Sequence, residues 1–259
     1  MAKNLLKSVM TVTEDEHNLK EAQKIIEKIE SGYLKSRGTK FRKKKSFSPS
    51  TLVYGNGKCP RYWQYAFNGA EFSDDADAYA VANMTNGTMS HERIQKAMMD
   101  SGFLVEDEVK LSYDDPPIFG FCDGIAEWND EQIPIEIKTM RDESFEYRKQ
   151  ANKAPSYHIE QLLYYMKILK KSNGLLIYES KNSHKLHVIF VEITDEYRVW
   201  MDDSFQWMKD VYKAYEDGEQ VARPYRSNSK VCKGCPVKEQ CFADDKGGKK
   251  MKPLGSIGG

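Results

Sequence analysis

The chain has 259 residues, of which 40% are hydrophobic and 12% aromatic, enough for a sizeable core in one large domain or one domain with appendages. Its formal net charge is +0, which argues against a protein that coats nucleic acid non-specifically but leaves local charge patches open. No apolar run approaches the roughly 18 residues of a membrane span, and the first residues carry no long apolar signal segment. We therefore expect a cytoplasmic location, in the host cytoplasm if the source is viral.

The N-terminal part of the chain is predicted to be mainly helical. A capping box formed by Thr13 and Glu16 begins a polar helix with a thin apolar stripe. The basic stretch 35–46 follows as a linker or loop, and Ser48 before a proline caps a short helix. Gly102 ends the last helical segment. The predicted helices cover 13–31, a short segment from 48, 60–67 and 74–101.

The remainder of the chain alternates between strand and helix patterns. Pro116-Pro117 and Asn129-Asp130 are turn signals between consecutive strands, and Asn182-Ser183 separates a later pair. The predicted strands are 103–113, 118–128, 132–139, 174–180 and 185–193, and the predicted helices are 155–171 and one that ends at Gly218. This order predicts an α/β fold in which a mixed central sheet is flanked by helices on both sides.

A carboxylate and an ammonium group interrupt the apolar third strand. Side chains alternate along a strand, so Glu136 and Lys138 share one face while the isoleucines of 133–137 face the core. Asp123 lies on the preceding strand, and a hairpin would bring it beside Glu136. Two neighbouring carboxylates suit a hard divalent cation such as Mg²⁺ or Mn²⁺, which can activate water. The alternative is a surface ion pair worth about 0–1 kcal/mol.

Two helical segments offer further polar groups. Gln161 and Tyr165 are four residues apart and share a helix face, with His158 one turn earlier. His91, one of five histidines, lies in the helix before the first strand and could add a neutral imidazole as a third metal ligand. For each of these residues the alternative is an ordinary surface or core position.

The cysteines have the spacing of metal ligands. Three near the C-terminus form a C-x2-C-x5-C array, and a fourth lies far upstream. In a cytosolic chain this pattern favours a bound metal over disulfides, and four thiolates could hold either Zn²⁺ or a 4Fe–4S cluster. The remaining cysteine, Cys122, lies in a strand pattern where a small buried thiol is common. The four candidate ligands are Cys59, Cys232, Cys235 and Cys241.

Together these motifs resemble the iron–sulfur nucleases of the PD-(D/E)XK superfamily, in particular RecB-like exonucleases of the CRISPR-associated type, the AddB-type helicase-nuclease subunits and phage relatives. The resemblance covers residues 48–242. One departure is that Cys122 stands where the superfamily name has proline. The matching segments, in chain order, are Ser48 to Ser50 with Cys59 to Arg61, Gly87 to His91, Gly120 to Asp123, Glu136 to Lys138, Gln161 to Tyr165 and the C-terminal cysteines.

The resemblance implies a restriction-endonuclease-like core and a metal-dependent DNA exonuclease, acting on single-stranded or resected DNA in recombination, repair or replication. It implies that Mg²⁺ or Mn²⁺ is bound by His91, Asp123, Glu136 and the Ile137 carbonyl. It makes Lys138 the catalytic lysine, and it gives Gln161 and Tyr165 the roles of shaping the site and contacting DNA. The four cysteines would hold a structural 4Fe–4S cluster that joins the N- and C-terminal parts, with Zn²⁺ as the alternative.

The predicted organisation has three parts: an N-terminal helix and basic linker (1–47), the nuclease domain with its cluster (48–242) and a flexible tail (243–259). The chain has no helicase P-loop, so a helicase, a recombinase or another replication or recombination protein could be a partner alongside DNA. Aromatic and basic residues interleave at 61–65 and 147–149, where single strands could stack, although core packing is favoured for the first group. The rival hypotheses are a non-catalytic module of the same fold and a zinc-stapled interaction protein.

Overall fold

The computed structural model describes residues 16–36, 43–73, 76–244 and 247–258. These residues form two compact units. The smaller unit contains helix α1 (Glu16–Ser36) and residues 76–86. Helix α1 carries exposed apolar side chains at Leu19, Ile25, Ile26 and Ile29. It corresponds to the helix predicted at 13–31, of which 13–15 lie outside the described residues.

The larger unit holds the remaining described residues and all of the strands. Proline at the first helical positions and polar caps explain where several helices begin: Thr194 accepts a hydrogen bond from the N–H of Tyr197, and Ser229 accepts one from that of Cys232. The helices after α1 are α2 (Pro49–Leu52), α3 (Pro60–Asn68), α4 (Ala78–Asp100), α5 (Asp142–Ala151), α6 (Ser156–Leu169), α7 (Asp195–Glu216), α8 (Lys230–Lys233) and α9 (Lys238–Ala243).

Five strands form one mixed sheet in the order β1-β2-β3-β4-β5. Neighbouring strands are antiparallel except β3 and β4, which are parallel and connected through α5 and α6. The pairing of β2 with β3 runs from Trp128 opposite Glu131 to Gly124 opposite Ile135 and goes no further. The strands are β1 (Leu104–Tyr113), β2 (Ile118–Trp128), β3 (Glu131–Met140), β4 (Asn173–Ser180) and β5 (Leu186–Glu192).

Helices cover both faces of the sheet, as the sequence predicts. On one face, α6 buries Leu162, Leu163 and Met166 in a cluster that also contains Trp63 of α3 and Met208 of α7. On the other face, the isoleucines of β3 and two residues of β4 pack with residues of α4 and β1. That second cluster consists of Ile94, Leu104, Ala126, Ile133, Ile135, Ile137, Leu175 and Ile177.

Two segments differ from the prediction. Helix α5 was not expected, because only Phe145 of its ten residues is buried and no apolar period marks it. The stretch predicted as a flexible tail is hydrogen-bonded to the domain instead. The indole N–H groups of Trp207 and Trp200 donate to the carbonyls of Lys252 and Gly255 at 2.8 and 2.9 Å. No helix in the described part of the chain is long and apolar enough to span a membrane.

Candidate functional site

Glu136, a predicted metal ligand, is almost completely buried, with 1% of its surface exposed. It lies on β3 and forms an ion pair with Lys138. Burial, and then the negative charge of Asp123, raise the pKa of Glu136 to about 7, against the opposing effect of Lys138. Its Oε2 atom has no hydrogen-bond partner among the described residues. This oxygen is therefore a buried acceptor that a ligand could use.

Asp123 lies one residue beyond the last β2–β3 pair, where the two strands separate. Its Oδ2 accepts a hydrogen bond of 2.6 Å from the backbone N–H of Ile137. Its Oδ1 is 3.6 Å from Nδ1 of His91 on α4. Burial alone would lower the pKa of His91, but the nearby Asp123 carboxylate outweighs burial and raises this pKa. The opening between the strands therefore brings the imidazole and both carboxylates into one electrostatic cluster.

Lys138 lies on the same strand as Glu136, with 22% of its side chain exposed. Burial would lower its pKa, but the charges of Glu136 and Asp123 prevail and raise it, with a smaller contribution from the hydroxyl of Tyr54. Lys138 therefore remains an ammonium group at the rim of the cluster, where it can meet an anion from solvent.

Gln161 and Tyr165 lie together on α6, as their spacing predicts. Nε2 of Gln161 donates to the hydroxyl oxygen of Tyr165 at 2.6 Å, and the Tyr165 side chain favours the charged form of Glu136. His158 is turned away and forms a 2.9 Å hydrogen bond with the hydroxyl of Tyr178. Tyr165 thus acts on the carboxylate cluster and Gln161 holds the Tyr165 hydroxyl, whereas His158 is bonded to Tyr178.

Gln95 also lies at the candidate site, although the sequence did not predict it there. It is 4% exposed and follows His91 by one helical turn on α4. Its Nε2 donates to the backbone carbonyl of Asp123 at 2.7 Å and contacts the carboxylate of Glu108 at 3.3 Å. The i, i+4 spacing from His91 was the available signal. Gln95 fixes the backbone that carries Asp123.

The four candidate cysteine ligands line a single small cavity. Cys59 caps α3, and the others lie in and between α8 and α9. Nε of Arg61 donates to Sγ of Cys241 at 3.2 Å. Burial raises the pKa of Cys59 to about 12 and that of Cys235 to about 11. The remaining cysteine, Cys122, is fully buried elsewhere, as predicted for a structural thiol.

Neither cluster has the finished geometry of a metal centre. Within the ranges that the structure describes, no three His, Cys, Asp or Glu side chains are arranged to hold a metal ion. Glu136 instead turns towards Lys138. The donor chemistry nevertheless fits: oxygen and imidazole ligands with a buried unpartnered carboxylate oxygen suit Mg²⁺ or Mn²⁺, and four thiols around one cavity suit zinc or an iron–sulfur cluster.

The predicted DNA-contacting aromatics separate into two groups. Arg61, Tyr62 and Trp63 are buried, so they belong to the core around the cysteines, the alternative that the sequence favours. Tyr147 is 63% exposed, and the guanidinium carbon of Arg148 lies 5.3 Å from the centre of its ring.

The basic run 35–45 is only partly described, because residues 37–42 lie outside the described residues. Within the described part, the ammonium of Lys44 lies 5.7 Å from the centre of the Trp63 ring.

No family model and no curated protein matches this sequence. Among solved structures, the chain is similar to an alkaline exonuclease, LHK-Exo, from Laribacter hongkongensis, with a TM-score of 0.51 and 13% identity over 66% of this chain and 90% of that one. LHK-Exo in complex with dAMP aligns equally well, over 67% of this chain and 89% of that one. SSO0001 matches at 17% identity over 84% and 96% of the two chains, with a TM-score of 0.46. At such identity the exonuclease comparison shows a shared nuclease-like fold.

Proposed function

We propose that this chain is a Mg²⁺- or Mn²⁺-dependent deoxyribonuclease, an exonuclease of the PD-(D/E)XK type. The observation that carries the proposal is the cluster of Asp123, Glu136 and Lys138 where β2 and β3 separate, with His91 3.6 Å from Asp123. The fold shared with an alkaline exonuclease supports it independently. The catalytic unit would be residues 48–242.

The proposed metal ligands are His91, Asp123, Glu136 and the backbone carbonyl of Ile137. A divalent ion bound there supplies a more acidic water and positive charge for the attacked phosphate. The buried Oε2 of Glu136 supports this assignment, because an unpartnered carboxylate oxygen is costly without a cation.

Lys138 would neutralise the charge that develops on the phosphate. Its raised pKa keeps it protonated, and its partial exposure lets it reach substrate. Gln161 would hold the Tyr165 hydroxyl in place through their hydrogen bond of 2.6 Å, and Tyr165 would in turn help to orient Glu136. Gln95 would position Asp123 through its carbonyl.

The four cysteines would hold a 4Fe–4S cluster with a structural role, and Zn²⁺ is the alternative occupant. The single cavity that all four cysteines line supports a site that is completed by a metal. Such a cluster would fasten Cys59, at the start of α3, to the segment 232–241.

The proposed substrate is single-stranded or end-resected DNA, in the setting of recombination, repair or replication in the cytoplasm or host cytoplasm. The similarity to an exonuclease solved with dAMP supports a deoxynucleotide product. A helicase or recombinase partner is part of the same proposal, because the chain has no P-loop of its own to drive unwinding.

The test is cleavage of end-labelled single- and double-stranded DNA in Mg²⁺ or Mn²⁺ by anaerobically purified protein. We expect the wild type to shorten DNA from an end and Glu136→Ala to lose at least the roughly 100-fold typical of a lost electrostatic catalyst. Glu127→Ala, an exposed carboxylate on the same hairpin, is the control and should cleave normally. Equal cleavage by wild type and Glu136→Ala would contradict the proposal. A DNA-binding but inert wild type would favour a non-catalytic module.

A further inference from the structure

A pair of exposed phenylalanines lies on the strand that leads to the candidate site. From residue 118 to 123 the side chains of β2 alternate, so that Phe119, Phe121 and Asp123 project from one face. The opposite face packs inwards: a Cβ at Gly120 would lie 3.1 Å from Pro49 of α2. At about 3.4 Å per residue along the strand, Phe121 and Phe119 lie about 7 and about 14 Å from Asp123.

The two rings form a defined unit. Their centroids are 5.5 Å apart and their planes are nearly perpendicular. Phe119 and Phe121 are 41% and 49% exposed. On β1, Lys110 lies opposite Phe121 and places its ammonium 5.6 Å from the centre of the Phe119 ring. The surface therefore combines aromatic rings with a cation beside them.

Two exposed aromatic rings beside a lysine match single-stranded nucleic acid better than a duplex or a protein. A nucleotide in a single strand presents a flat base and an adjacent anionic phosphate, which suit an aromatic ring and a lysine respectively. Bases in a duplex are already stacked and paired, so they cannot reach rings on a strand surface. A protein partner would explain the exposed rings but not why their row leads directly to the Asp123 carboxylate.

We propose that Phe119 and Phe121, with Lys110, form a stacking platform for one or two unpaired bases next to the phosphodiester that is cut. This inference rests on the proposed nuclease function and refines it: the strand enters along β2, on the Asp123 side, and must be single-stranded over these nucleotides. The residues act by binding substrate and take no part in bond cleavage.

The test measures binding separately from cleavage. Full-length Glu136→Gln in Mg²⁺ would be titrated with fluorescent oligothymidylate of about 12 nucleotides, within the ~4–16 nucleotides that single-strand sites cover. An abasic oligomer of equal length keeps the phosphates but removes the bases. Phe119→Ala and Phe121→Ala should each weaken oligothymidylate binding by roughly 5- to 150-fold, the range for one stacked base. Neither should change affinity for the abasic oligomer.

The controls isolate stacking from folding and from charge. Phe121→Trp should keep the affinity, and Phe190→Ala removes a similarly exposed ring from β5, at the far edge of the sheet, without effect. Undiminished oligothymidylate binding by the Phe119→Ala, Phe121→Ala double variant, or equal losses for both oligomers, would overturn the platform. A wild type that stacks bases yet cuts no DNA would overturn the nuclease proposal alone, so the two failures are distinguishable.

Discussion

At the scale of single residues, burial decides what the site can do. Gln95 and Glu136 are almost completely buried, so each of their polar side-chain atoms is expected to have a hydrogen-bond partner or to bind a ligand. The amide of Gln95 has two acceptors, Glu108 and the Asp123 carbonyl. The Oε2 atom of Glu136 has none in the described chain. Gln95 therefore supports the backbone of the candidate site, and Oε2 of Glu136 is available to a ligand.

Gln95→Leu should reduce cleavage without removing a metal ligand. Losing the 2.7 Å hydrogen bond leaves the Asp123 carbonyl unpaired, at about 1–3 kcal/mol, and frees Asp123 to shift. We expect about a tenfold fall in the single-turnover cleavage rate and a loss of stability of that size, which thermal unfolding would measure. Lys96→Ala, one residue along the same helix and solvent-exposed, should match the wild type. An unchanged single-turnover rate for Gln95→Leu would show that Asp123 needs no such support.

His158 should make the fold sensitive to acid. Burial, and then the charges of Lys138 and Arg148, lower the pKa of His158 to about 3 from the usual 6.5. Because the unfolded chain takes up a proton below about pH 6.5 and the folded chain does not, this residue's contribution to stability is complete above that pH and falls as pH drops towards 3.

Denaturant unfolding at two pH values measures this effect. The wild type should lose about 2 kcal/mol through His158 between pH 8 and pH 5, and His158→Gln should lack that component of the slope. Identical pH slopes for the two proteins would mean that His158 titrates normally in the folded state.

At the scale of elements, the C-terminal segment is a structural part of the domain. Lys58 of the α2–α3 connection pairs with the buried Glu160 of α6 at 2.6 Å and also donates to the hydroxyl of Ser256 at 2.6 Å. The N–H of Ile257 donates to the same glutamate at 3.1 Å. The segment thus supplies the remaining hydrogen bonds of the buried Lys58–Glu160 ion pair. Without them, the cost of removing these two charges from water would be poorly offset.

Removing residues 253–259 should therefore destabilise the domain by several kcal/mol. The deletion loses the burial of Leu254, worth about 2–3 kcal/mol, and four hydrogen bonds, of which one joins α6, one joins α7 and two join Lys58. Chemical denaturation would measure the loss, with Lys250→Ala, an exposed position just before the segment, as control. A truncated chain as stable as the full one would indicate that these contacts contribute nothing.

Sequence patterns predicted the elements that have alternating polarity or clear turn signals at their ends. They did not predict a helix that lacks an apolar face. The alternation and turn signals located all five strands, and the placement of Glu136 and Lys138 on one face followed from it. Helix α5 was missed because it buries only Phe145. The separation of β2 from β3 at Asp123, and the partners of Gln95, depend on contacts between distant segments that no local pattern encodes.

At the scale of the whole larger unit, the cysteine cavity joins segments that are distant in sequence. Cys59 begins α3, while the other three cysteines lie in 232–241, after the last strand and α7. Arg61 strengthens the junction by donating to the carbonyl of Val221 and to Sγ of Cys241. A cluster bound there would stabilise the fold by closing a long loop.

Replacing one ligand should therefore remove both metal and stability. We expect Cys59→Ser purified anaerobically to contain far less iron and sulfide than the wild type and to unfold at a lower temperature. Cys122→Ala, which removes a buried thiol outside the cavity, should retain its iron. Zinc in place of iron in the wild type would favour the alternative occupant, and equal metal content in both variants would contradict the assignment.

We propose above all that His91, Asp123 and Glu136 form a divalent cation site where β2 and β3 separate. It is tested most directly by Mn²⁺ titration followed by electron paramagnetic resonance, because that readout needs no substrate. The wild type and Glu127→Ala should each bind Mn²⁺ at this site, and Glu136→Ala should lose that binding while remaining folded. Equal Mn²⁺ binding by wild type and Glu136→Ala would contradict the account.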